Sequence, residues 1–390
     1  MRKKVLSVLL CTAMAATMLT GCGGSSDDTT KDKATSGATS GATSEKASKA
    51  EVSDGGKVLN IRVWNEEFRD RVIAHYPGYK KTGKWTGQIG DVKVKWTQVA
   101  NDDNAYQQAL DQALLNQADA KADDKVDMFL VEADYALKYV NSDYTVDVVN
   151  DLGVSEDSLS NQYKYTQDIV RDSKGALKGS SWQACPAGMI YRRDIAKKVF
   201  GTDDPDKIQE IFSDWDAFKD AAAKLKDKGY LATASVNDAY RVFSNNVTSK
   251  WVEDGKINID DNIMKWVDQT KKYTDKGYNN KSSLWDSTWA ADQGPSGKVF
   301  GFFYSTWGIN FTLLGNSLAT PVKEGGKEEV GNGIYGDYAV CQGPQSYYWG
   351  GTWICAAAGT DNPNLIKEIM KTLTCDKSTE VQITKDTQDY

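Results

Sequence analysis

Val58-Leu59-Asn60-Ile61-Arg62-Val63-Trp64 and Lys125-Val126-Asp127-Met128-Phe129-Leu130-Val131-Glu132 decide the fold. The first alternates apolar and polar residues, as a half-buried strand does; the second carries the near-continuous apolar run of a buried strand. Between them, residues 66–76 place Phe68, Val72, Ile73 and Tyr76 at helical spacing. Val92-Lys93-Val94-Lys95-Trp96 alternates as a second strand. Tyr106, Ala109, Leu110, Ala113 and Leu114 then form one stripe of a helix over 104–117, with Asp102 or Asp103 as its N-cap. A short helix is expected from Asp134 to Val140. Strands alternating with helices specify an α/β architecture built on a parallel sheet.

Further along, Leu177 to Tyr191 reads as irregular extended chain broken by Pro186 and Gly188. A helix from Trp215 to Lys228 buries Phe218, Ala222 and Leu225 and stops at Gly229; another, from Asn262 to Lys276, stops at Gly277. Strand-like runs recur at residues 299–304 and 353–357. The last clear helix covers 363–374, with Asp361 or Asn362 as cap and Pro363 in its first turn.

The chain opens differently. Basic Met1-Arg2-Lys3-Lys4 precedes the apolar run of residues 6–22, LSVLLCTAMAATMLTGC, the anatomy of an export signal too short to span a bilayer. Thr20-Gly21 before Cys22 resembles a bacterial lipoprotein box, which implies cleavage after residue 21 and a lipid (palmitate among its acyl chains) on Cys22. Residues 22–56 are mostly Ser, Thr, Gly, Ala, Lys and Asp with a repeated Ala-Thr-Ser-Gly unit, a flexible tether with a reach of roughly 30 Å.

Composition excludes several classes. The net charge is −7, and −10 once Arg2, Lys3 and Lys4 leave with the signal, so nucleic acid is not an expected partner. The single histidine, His75, ends a helix, where a cation is ordinary, so Ser-His-Asp and Cys-His catalysis have no support. Cys185, Cys341, Cys355 and Cys375 lack zinc spacing; they are either disulfide partners in an oxidising exterior or buried thiols. Asn101-Asp102-Asp103-Asn104 and Asn258-Ile259-Asp260-Asp261-Asn262 lack the glycine and terminal Glu of a calcium loop and are read as helix caps. No catalytic residue, metal or cofactor is expected.

The order of landmarks resembles the extracellular solute-binding lipoproteins of carbohydrate ABC transporters, the maltose-binding-protein-like family 1 type, in versions from Gram-positive anaerobic gut bacteria. The resemblance rests on the lipobox and tether, the strand ending in Trp64-Asn65-Glu66-Glu67, Lys125–Glu132, and Leu177-Lys178-Gly179 before Tyr191-Arg192-Arg193-Asp194. It continues through Ser213-Asp214-Trp215-Asp216-Ala217-Phe218, Gly297-Lys298 leading to Tyr304-Ser305-Thr306-Trp307-Gly308, Gly343-Pro344 and Gly350-Gly351. It implies two α/β lobes with ligand held in the cleft between them. The first lobe would take residues 57–184 and 350–390 and the second 185–349, with crossings near Ala184-Cys185-Pro186 and Trp349-Gly350-Gly351. Relatives continue past the final helix, so the expectation is that a C-terminal remainder is missing.

The implied activity is reversible capture of a sugar or oligosaccharide by a monomer anchored on the outer face of the membrane, and delivery to ABC permease subunits. A sugar offers apolar C–H faces to flat aromatic rings and a rim of hydroxyls to Asp, Glu, Asn and Arg. Trp64, Asn65 and Glu66 follow the first strand, where open α/β sheets bind ligands, although carboxylates there also complement a helix dipole. Glu132 and Asp134 follow the next strand, with Asp134 equally fit to be an N-cap. Trp182 adjoins the first crossing. Asp238, Tyr240 and Arg241 match a second-lobe loop that supplies a carboxylate and an aromatic in the family, Trp307 stands at its stacking tryptophan, and Trp349 precedes the return crossing. The alternatives are a secreted glycan-active hydrolase using a pair such as Glu66 and Glu132, or a surface glycan receptor or adhesin.

Overall fold

The structure, a computed structural model, describes residues 54–387; the export signal, Cys22 and nearly all of the tether lie outside the described residues. Val58–Val63 is the pivot of a seven-stranded sheet. On one side it pairs in parallel with Val92–Gln98, and on the other with Met128–Glu132. Helices Glu67–His75 and Ala105–Leu115 make the crossovers that parallel pairing demands. The strand order therefore reverses at Val58–Val63, which opens a crevice at the carboxyl ends of these strands. Two short antiparallel strands not expected from the sequence, Tyr79–Lys81 and Thr86–Ile89, extend one edge.

The other edge is built from distant chain. Thr352–Ala356 inserts antiparallel between Met128–Glu132 and Ser180–Ser181. The buried Asp127 carboxylate fastens this return, accepting from Asn60 N at 2.7 Å, Thr360 Oγ1 at 2.5 Å and Asn362 Nδ2 at 3.1 Å. Asn362 occupies the N-cap position of helix Pro363–Thr374, yet its side chain makes no cap bond because it is committed to Asp127 and the Val58 carbonyl. Leu59, Phe68, Phe129, Leu130, Trp353 and Ile354 form the heart of this core.

A second sheet has Pro186–Arg192 at its centre, flanked antiparallel by Gly301–Ser305 and Tyr338–Cys341, with Tyr347–Tyr348 also paired to it. The expectation of irregular chain up to Tyr191 is thus corrected. Pro186 is tolerated as the first residue of the strand, and Gly188 is needed within it because a Cβ there would stand 2.8 Å from the Cys341 carbonyl oxygen. Helix Trp215–Asp227 packs on this sheet through Trp215 and Phe218 against Phe303, and helix Asp261–Lys276 packs on it in turn through Tyr273 against Phe218; Asp214 and Asp260 cap them, and Gly277 ends the second in the left-handed region. Tyr191, Phe212, Phe218, Trp289, Phe300 and Phe303 fill a separate core.

Asp102 and Asp103 are not caps: they form a 3-10 turn, and Asn104, left-handed, precedes Ala105–Leu115. Helix Lys377–Thr387 follows the last expected one. Among the described residues, Cys185, Cys341, Cys355 and Cys375 form no disulfide. Among the described residues, no helix is long and apolar enough to cross a membrane.

Candidate functional site

The chain leaves the first sheet after Ser181 and re-enters it at Thr352. The two passages are tied by a backbone bond from Trp349 N to Cys185 O of 3.1 Å. Gly350 (φ +89°) permits the second passage to run under Trp307, since a Cβ there would lie 2.9 Å from the indole nitrogen. The two sheets, each with its own core, are two lobes joined by these crossings.

The carboxyl end of Met128–Glu132 delivers two carboxylates to the crevice. Asp134 does not cap helix Ala136–Val140, whose N-cap is Tyr135. It reaches instead to the second lobe, where Arg241, on helix Tyr240–Ser244, grips both its oxygens, the Nη2–Oδ2 arm at 2.5 Å. Glu132 accepts from Asp134 N at 2.8 Å. Burial, and then the charge of Asp134, push its carboxyl up to about 7. The Arg241 guanidinium lies 5.5 Å from the Trp349 ring and 5.6 Å from that of Tyr240, a cationic centre with two aromatic neighbours.

Trp307 extends this group. Its Nε1 donates to the Trp349 carbonyl at 2.8 Å and its ring meets Trp349 edge-on at 5.6 Å. Trp349 is only 5% exposed, with Arg241 against it, so it backs the site rather than offering a free face. On the first lobe, Trp64 is half-buried and reaches the neighbourhood of Asp134 through Tyr135, at 6.3 Å between centroids.

Four expected residues stand apart. Asn65 accepts from Glu67 N, and Glu66 is held by Arg69 at 2.7 Å and Lys84 at 3.0 Å. Trp182 is 7% exposed and stacked on Phe68 at 5.1 Å, which makes it first-lobe core instead of a platform. Asp238 is buried beneath its loop, accepting from Ser235 N at 2.7 Å and Trp289 Nε1 at 3.3 Å. Sequence reasoning missed Tyr135, and it missed Trp285 and Phe311, which pack on Trp307. Phe311 lies four residues beyond Trp307, a spacing that could have pointed to it.

A cavity of about 360 Å³ lies against the second-lobe sheet, without Asp134 or Arg241 in its lining, which includes Gly188, Ile190, Tyr304, Ile309 and Val340. It has no charged side chain, so the candidate site is placed at the crevice. Among the described residues no cluster of three His, Cys, Asp or Glu could hold a metal ion.

Two lobes with a polar and aromatic crevice between them suit the capture of a ligand. The chain belongs to the bacterial extracellular solute-binding proteins, whose family model matches residues 79–389. Among similar solved structures is an extracellular solute-binding protein of family 1, 17% identical, with TM-score 0.63 over 84% of this chain and 77% of that one. The sugar-binding protein MalE of Xanthomonas citri is 12% identical, with TM-score 0.59 over 84% and 77%. The galacto-N-biose/lacto-N-biose I-binding protein of a Bifidobacterium longum ABC transporter, solved with lacto-N-biose, is 14% identical, with TM-score 0.57 over 84% and 77%. A search of curated protein sequences finds no significant match.

Proposed function

We propose that this protein captures a neutral sugar or oligosaccharide between its lobes and delivers it to the permease subunits of an ABC importer. The lobes are residues 57–184 with 350–390, and 185–349. The protein acts as a monomer held at the outer face of the membrane by lipid on Cys22. The observation that carries this reading is the meeting of Asp134 and Glu132 from one lobe with Arg241, Tyr240, Trp349 and Trp307 from the other. Planar rings beside bidentate polar groups are the two chemistries that a sugar presents surfaces for. The ligands named for similar structures, lacto-N-biose and maltotetraose among them, support the same class.

The test is calorimetry on the full chain across plant and starch oligosaccharides, repeated with Trp307→Ala. Losing a stacking platform is expected to weaken binding at least about tenfold, on the order of 1–3 kcal/mol by analogy with aromatic–base stacking. Because Trp307 is half-buried, stability should fall by less than the roughly 3–5 kcal/mol of a truncated core aromatic. A large stability loss with unchanged affinity would remove Trp307 from the site.

A further inference from the structure

Exposure rises steadily along the aromatic residues that lead away from Arg241. Trp349 is 5% exposed, Trp307 half-buried, Trp285 51% and Phe311 70% exposed. The three outer rings form a closed set. Trp285 lies 6.2 Å from Trp307 with planes 16° apart, while Phe311 stands steeply to both at 6.2 and 5.9 Å. Adjacent Trp289 and Tyr304 are buried, so the second-lobe core is already closed without Trp285 and Phe311.

Both outer residues are held in unusual backbone. Trp285 has φ +73°, a region that side chains with a Cβ rarely adopt. Asp286 clamps it from both sides, accepting from Ser283 N at 2.8 Å and Trp289 N at 2.7 Å. Phe311 projects from a π-helical turn, Ile309–Leu313, a local widening that is frequent at functional sites. An exposed aromatic group, rigidly presented and continuous with a polar crevice, marks a binding surface rather than incidental exposure.

The geometry points to an outer subsite, formed by Trp285 and Phe311, that takes a further ring of an oligosaccharide whose inner ring lies against Trp307. This rests on the sugar-binding reading above and narrows its substrate class to linear glycans longer than a disaccharide. The inner ring meets charge and aromatic face together; the outer ring meets aromatic faces, which are tolerant of linkage and hydroxyl configuration.

The experiment is calorimetry of the full chain with linear malto-, cello- and xylo-oligosaccharides of two to six rings, on native protein, Trp285→Ala and Phe311→Ala. For the series the native protein binds, affinity should rise with length. Each substitution should cost the longer members about tenfold and the disaccharide less than about twofold, by the worth of one stacking platform. Phe311→Ala, at the more exposed position, keeps the test decisive if Trp285→Ala fails to fold. Equal losses for short and long glycans, or no loss for either, overturn the subsite while leaving capture of sugar intact. Native protein that binds only disaccharides overturns it as well. Native protein that binds none of the glycans overturns the subsite and the sugar reading together.

Discussion

The Asp134–Arg241 pair is a charged contact that bridges the lobes, and its strength sets how firmly it holds them together. At about 4 Å between charges and an effective dielectric near 20, the gross attraction is about 4 kcal/mol. The side chains are 45% and 23% exposed, so water screens the pair, and ordering an arginine costs entropy. A two-armed contact at the favourable end of such pairs is worth about 1 kcal/mol net. That is about fivefold in the ratio of closed to open protein. Fluorophores placed one on each lobe would report that ratio by energy transfer. Asp134→Asn should lower it about fivefold. Arg241→Gln should lower it somewhat further, because the cation over Trp349 is lost as well. The double variant should match Arg241→Gln alone, and the effect of Asp134→Asn should shrink as salt is raised. Additive losses, or a ratio untouched by Asp134→Asn, would refute the idea that the pair holds the lobes.

Three further outcomes follow from the same structure. Glu132 and Asp238, each pushed up to about 7 chiefly by burial, and Glu380, up to about 8 for the same reason, favour their protonated forms when folded. Their stabilisation is complete below about pH 4 and is lost as pH rises to about 8, whereas Asp376, held down to about 2, withdraws its share only in stronger acid. Scanning calorimetry should therefore give a higher Tm at pH 5 than at pH 8, and a Tm that climbs over that interval would contradict this. Trp182→Ala should cost about 3–5 kcal/mol in denaturant unfolding with little change in glycan affinity of the folded fraction. Gly350→Ala, at φ +89° and against the Trp307 indole, should lose about 1–3 kcal/mol and weaken binding too, since Trp307 must move; unchanged affinity would show that Trp307 is not positioned by this passage.

The sequence periodicities located the long elements well because burial imposes them: Val58–Val63, Trp215–Asp227 and Pro363–Thr374 fall within a residue or so of where spacing puts them. Pro186–Arg192 escaped because proline and glycine weaken a strand on average, whereas here a close carbonyl makes Gly188 a requirement. Asp134 and Arg241 are each singled out in the sequence, but not their pairing, which joins residues 107 positions apart through the folding of two lobes. Trp182 shows the opposite limit. Its position beside a crossing suited a platform equally well, and only the Phe68 ring stacked on it assigns it to the core.

The Thr352–Ala356 strand also fixes an order of assembly. The second sheet draws on residues 186–348 alone, so it can complete while the last part of the chain is still being synthesised. The first sheet cannot: Trp353 and Ile354 fill the slot between Val131, Leu130 and Ser180–Ser181, and until they arrive its inner edge stays unpaired. Of the two lobes, the one that begins first on the ribosome is thus the one that finishes last. Until residue 356 has been made the first sheet lacks a strand from its interior, while the second already holds all of its own.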